Sequence, residues 1–99
     1  MIIRTKPWNV VEHLDSDDAI IAYLEAAFED GDTSVIAAAI GDVARAKGMS
    51  DVAQDAGLSR ESLYKSLSTG GNPAFGTVMK VLRVLGIELT VKPHMRDVA

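Results

Sequence analysis

The stretch MSDVAQDAGLSRESLYKSL, Met49 to Leu67, decides the fold. It reads as two short helices joined through Gly57 and Leu58. Ser50 stands as the N-cap of the first helix, which is about two turns long and turns Val52, Ala53 and Ala56 inward. Ala53 falls where the two helices cross, a position that calls for a small side chain. Gly57 sits at the tight turn, where a positive φ suits glycine best, and Leu58 plugs the gap beneath it. Ser59 caps the second helix, which Leu63 and Leu67 anchor, with part of Tyr64. This is the layout of a helix-turn-helix spanning about residues 50–68. The same string also fits an ordinary helical corner with a solvated, serine-rich face. Many such units carry an apolar residue nine positions after the turn glycine; here that position is Ser66, and burial passes to Leu67.

The flanking sequence supplies elements of suitable length. Upstream, Asp15 and Ser16 offer an N-cap, and Ile20, Tyr23, Leu24, Ala27 and Phe28 follow one helical face as far as Gly31. Asp32 or Thr33 caps a second helix with the stripe Ile36, Ala39, Ile40, Val43, Ala44, ended by Lys47 and Gly48. Downstream, Thr69-Gly70-Gly71 reads as a loop, and Asn72-Pro73 as an N-cap followed by proline at the first helical position. The last helix buries Phe75, Val78, Val81, Leu82 and Leu85 and stops at Gly86. Residues 87–92 alternate apolar and polar, a strand period. The expected architecture is therefore all-α: a five-helix domain over 15–92 with a short C-terminal β-strand at 87–92, an N-terminal arm at 1–14 and a tail at 93–99.

A lone strand needs partners for its backbone groups. Either Met1–Thr5 pairs with it, or another chain does, which would give a two-fold homodimer or a docking site for a partner's sheet; the plainer alternative is a terminal extended segment packed loosely on the helices. Ile87, Leu89 and Val91 are thus candidate dimer or partner contacts. So is Trp8, which reads first as a core residue, with a toxin-docking anchor in the irregular N-terminal arm as the lesser alternative.

The 99 residues are 47% hydrophobic and 24% charged, which suits one small domain and argues against disorder. There is no cysteine, hence no disulfide framework and no thiolate zinc site. No apolar run approaches a membrane span, and the opening Met-Ile-Ile-Arg-Thr-Lys-Pro-Trp lacks a signal-peptide core, so a cytoplasmic address with no membrane partner is expected. His13 and His94 lie near opposite ends with no nucleophile beside them, so neither catalysis nor a metal or other cofactor is expected. Asp15-Ser16-Asp17-Asp18 lacks the glycine and distal glutamate of a calcium loop and fits a helix N-terminus better.

Net charge is −4, unevenly spread. Residues 1–40 hold two bases against eight acids; residues 41–99 hold eight bases against six acids. That split suggests two surfaces with different partners, although acids at helix N-termini account for part of it. The second short helix would show solvent Ser59, Arg60, Ser62, Lys65 and Ser68, with Glu61 and Ser66 among them. Arginine can fork onto guanine, and hydroxyls can reach phosphates or base edges. Ser50, Gln54, Ser59, Arg60, Ser62, Lys65, Ser68 and Asn72 are accordingly the candidate contacts to double-stranded DNA. A module that binds only protein, using the helix pair as scaffold, is the competing reading.

Three runs, residues 5–32, 40–68 and 71–89, and above all GLSRESLYKSLS followed by GNPAFGTVMKVL, resemble the addiction-module antidote proteins, a branch of HigA-like antitoxins with an Xre-type, lambda-repressor-like DNA-binding domain. The resemblance implies a repressor-like fold and a homodimer that represses its own operon. It also implies a partner, a small RelE/HigB-like toxin that cleaves mRNA on the ribosome. Such toxins are basic, so the acidic first 40 residues would suit that surface.

Overall fold

The computed structural model describes residues 10–94, and among them the chain is entirely helical. A single 3₁₀ turn, Val10–His13, leads to the buried Leu14. Five α-helices follow: α1 (Asp17–Asp30), α2 (Thr33–Lys47), α3 (Met49–Ala56), α4 (Arg60–Ser66) and α5 (Phe75–Val84).

Local chemistry sets most of the boundaries. Ser16 Oγ accepts the Ala19 N–H at 3.1 Å, and Asp17 and Asp18 place negative charge in the first turn of α1. α1 ends at Gly31, which is left-handed and donates its N–H to the Ala27 carbonyl. Asp32 then caps α2, its Oδ1 accepting both the N–H and the hydroxyl of Ser34.

Gly48 alone separates α2 from α3, with φ of 108°. This one-residue turn displaces the expected cap. Gly48, not Ser50, occupies the N-cap position, no side chain caps the helix, and Ser50 lies exposed in the first turn. Met49, at the first helical position, is buried in the core.

The centre of the molecule is α2, which packs against α1, α3 and the 3₁₀ turn, while α5 lies on α3. Ile40 and Val43 from α2, Leu63 and Leu67 from the α4 segment, and Val81 and Leu82 from α5 are the largest fully buried side chains. α2 approaches the end of α4 so closely that a Cβ on Gly41 would stand 2.0 Å from the Leu67 carbonyl oxygen. Only glycine lets the two backbones meet there.

The C-terminal third departs from expectation in three places. Asn72 and Pro73 do not start α5; Ala74 holds the N-cap position without a side-chain cap, and the helix begins at Phe75. The chain leaves α4 tightly, with Gly71 N–H donated to the Ser68 carbonyl and its Cα against the Ser66 carbonyl, and residues 72–74 carry it away before α5 can start. Phe75 is not core: it is 74% exposed. It shares a stripe with Leu82 one heptad on, but it sits in the first turn of a helix whose neighbour α3 has only eight residues.

No strand forms at 87–92 among the described residues. Gly86 is left-handed, and the Ile87 N–H reaches back to the Leu82 carbonyl at 2.8 Å, the six-to-one bond of a Schellman cap. Ile87 is thereby tied to the helix end, half-buried against the core. Among the described residues there is no other strand to receive the ladder bonds of the alternating segment that follows. Met1–Thr5, the intramolecular partner considered from sequence, lies outside the described residues.

Candidate functional site

α3 and α4 meet at a corner made by backbone geometry. Gly57 adopts φ of 71°, its N–H bonds the Gln54 carbonyl, and the Leu58 N–H reaches the Ala53 carbonyl at 2.8 Å. Leu58 packs half-buried on the core, completing the hydrophobic contact that accompanies such a cap. Ser59 Oγ accepts the Ser62 N–H at 3.1 Å and starts α4. Ala53 and Leu63 are buried at the crossing.

With Leu63 and Leu67 turned inward, α4 presents two outward rows of i, i+4 neighbours, Arg60 with Tyr64 and Glu61 with Lys65, all exposed. Ser62 is exposed beside them, as are Ser50 and Gln54 on α3 and Asn72 beyond α4. Two of the candidate hydroxyls are already engaged: Ser59 as the cap, and Ser68, half-buried, donating to the Lys65 carbonyl at 2.8 Å. Ser66 donates to the Leu63 carbonyl, which accounts for a polar residue at a position more often apolar. The exposed groups of this face are therefore a guanidinium, an ammonium, two amides and a few hydroxyls, with the Glu61 carboxylate among them, a set able to meet anionic oxygens and hydrogen-bonding edges.

The candidate dimer contacts behave differently from one another. Ile87 is half-buried in the α5 cap, Leu89 is 37% exposed, and Val91 is fully exposed. Trp8 lies outside the described residues.

A polar chain that sequence reasoning missed crosses the molecule. The Tyr23 hydroxyl on α1 donates to Asp42 Oδ2 at 2.6 Å. The Arg45 guanidinium, one turn along α2, donates to Asp42 Oδ1 and lies 5.6 Å from the centre of the Tyr64 ring on α4. Partial burial, reinforced by the bond to Asp42 and the charge of that carboxylate, pushes the Tyr23 hydroxyl up to about 12. Its sequence signal was the Asp42–Arg45 pair at i, i+3 in an otherwise apolar helix, while Tyr23 and Tyr64 read as packing residues.

α1 and α2, with Thr69 from the segment after α4, border an open trough of about 450 Å³, lined by Ala26, Val35 and Ala38 among its apolar residues and by Tyr23, Asp30, Ser34 and Thr69 among its polar ones. From Pro7 to Ala44 the chain has no lysine or arginine. Glu12, Asp15, Asp17, Asp18, Glu25, Glu29, Asp30 and Asp32 are all exposed there. Among the described residues no cluster of side chains suits a metal ion, and no helix is long and apolar enough to cross a membrane.

The described residues thus form a small all-helical domain with one face that carries Arg60 and Lys65 among hydroxyls, amides and a few acids, and another where carboxylates stand without lysine or arginine. A protein-family profile described as "probable addiction module antidote protein" matches residues 4–93, and the chain belongs to that family. An uncharacterized protein of Haemophilus influenzae is 46% identical over 92 residues, covering 93% of this chain and 95% of the relative. No solved structure matches the chain. Membership in an antidote family places the protein in a toxin–antitoxin system, with a toxin as its partner.

Proposed function

We propose that this antidote is also a DNA-binding autorepressor, a homodimer of a lambda-repressor-like, HigA-type helix-turn-helix domain that places α4 in the major groove of its own operator. The carrying observation is the exposed face of α4, where Arg60 and Lys65 stand on a helix locked to the core by Leu63 and Leu67. Arg60 can fork onto a guanine, while Lys65, Ser62 and the flanking Gln54 and Asn72 can reach phosphates or base edges. Asp51, Asp55 and Glu61 are exposed nearby and weaken the general attraction for phosphate, so affinity depends on engaging two half-sites or on the bound toxin. The toxin is of the basic RelE/HigB type, and the antidote itself performs no catalysis.

The test is a titration of purified protein with DNA from upstream of its own gene, at two salt concentrations, alongside Arg60→Ala. The expected result is salt-sensitive binding that favours this DNA over random sequence. Arg60→Ala should weaken it by about 1–3 kcal/mol while folding stays within roughly 0.5 kcal/mol of the parent. Binding no better than to random DNA, with or without toxin, and indifferent to Arg60 would leave a module that binds only protein.

A further inference from the structure

The trough between α1 and α2 has a composition that selects its occupant. Its lining is largely small and apolar, Ala26 and Ala38 with Val35 exposed beside them, and of its three hydroxyl-bearing residues Tyr23 donates to Asp42 and Ser34 to Asp32, while Thr69 adds a third. Val35, Ala38 and Asp42 recur at i, i+3 and i+7, one continuous stripe of α2. Its border is anionic: Asp30 lines it, Glu25, Glu29 and Asp32 are exposed on the same helix pair, and no lysine or arginine occurs between Lys6 and Arg45. None of the α1 carboxylates forms an ion pair with a described residue. An apolar slot with an unneutralised acidic border favours a segment that supplies both an aliphatic side chain and a cation, and repels an acidic one.

We propose that this trough is where the toxin docks, through a cationic segment that seats an apolar side chain between Ala26 and Ala38 and sets a neighbouring lysine or arginine against Asp30. The assignment rests on the neutralising role of the family and adds the surface and the partner chemistry. It puts toxin and DNA on different helices, α1 and α2 for the one and α4 for the other, with Thr69, three residues past α4, at the border of the trough.

The probe is the purified product of the reading frame adjacent to this gene, titrated onto the full chain at two salt concentrations. Ala38→Gln and Ala26→Gln each fill the trough with a neutral side chain. Either should weaken binding roughly a hundredfold, as loss of a central anchor does. Asp30→Asn should weaken it about tenfold and flatten the salt dependence. Asp55→Asn on α3, the same charge change elsewhere, should leave it unaltered. Circular dichroism verifies the fold of each variant, and because Ala26 is exposed, its variant decides the matter should Ala38→Gln unfold. Folded glutamine variants that bind like the parent overturn the trough and leave the neutralising role standing. A parent chain that does not bind the product overturns that role and the trough with it.

Discussion

The joint between α1 and α2 and the joint between α3 and α4 use the same device with different results. Each ends its first helix on a left-handed glycine, Gly31 or Gly57, and each starts its second with an oxygen-bearing cap, Asp32 or Ser59. The second joint has one additional residue, Leu58, which packs half-buried on the core and draws the whole corner against it. The first has no apolar residue to bury and leaves Asp30 and Asp32 in water. One leucine thus separates a solvated, acidic hairpin from a core-anchored corner that holds α4 at a set angle to the rest.

The substitution that breaks this arrangement most severely lies between the two pairs. Gly41→Ala drives a methyl group into the Leu67 backbone, which neither helix can yield without repacking. We expect a loss of about 3 kcal/mol in denaturant unfolding; a loss under 1 kcal/mol would mean that α4 can slide on α2.

A smaller effect compares the two glycines directly. Neither Gly31 nor Gly57 would meet a neighbour through a Cβ, so the cost of valine at either is backbone strain alone. Both Gly31→Val and Gly57→Val should cost more than about 1 kcal/mol. An unchanged melting temperature for Gly57→Val would show that the corner does not depend on its left-handed residue.

The caps give the smallest effect and the sharpest contrast. Ser59→Ala should cost about 1 kcal/mol at any pH at which the parent is folded. Asp32 behaves otherwise. Bonds from the Ser34 hydroxyl, and then from the Ser34 and Val35 backbone, hold its carboxyl below the ordinary carboxylate range. Its folded pKa is depressed, so its contribution is present at neutral pH and fades as pH falls through that range. The difference in melting temperature between the parent and Asp32→Asn should therefore shrink on acidification, while that for Ser59→Ala should not.

The same contrast explains what could be read from the sequence. At 15–67 most local signals and the tertiary surroundings agree: Ser16, Asp32 and Ser59 do cap helices, and Ile40, Val43, Leu63 and Leu67 are buried, whereas Phe28, expected on the apolar face of α1, is exposed. Periodicity over two long helices and a glycine followed by a cap are enough there. At 72–92 the expected helix forms, Val81 and Leu82 are buried and Gly86 ends it, but three equally strong local signals are overruled. Asn72-Pro73 has cap chemistry, but the chain is still leaving α4; Phe75 has the right spacing but too short a neighbour; Ile87 has strand alternation but is taken by the cap of α5. Ser50 failed for the same reason, since Gly48 turned the chain one residue sooner. For the candidate site, exposure of Arg60, Ser62 and Lys65 followed from Leu63 and Leu67. The Tyr23–Asp42–Arg45–Tyr64 chain, by contrast, depends on how three helices meet, which no spacing within one helix records.

That polar chain gives the molecule an optical indicator of its own integrity. Tyr23 both donates to Asp42 and lines the trough, so its ionisation reports on the contact between α1 and α2. Its pKa in the folded protein, about 12, lies above the unfolded value near 10. The stability it contributes is therefore complete below pH about 10 and is lost as pH climbs toward the folded value. Followed by phenolate absorbance, an alkaline titration should show one late tyrosine step that vanishes in Tyr23→Phe. A late step persisting in that variant would assign it to another tyrosine, and a ligand seated in the trough should shift the step in the parent.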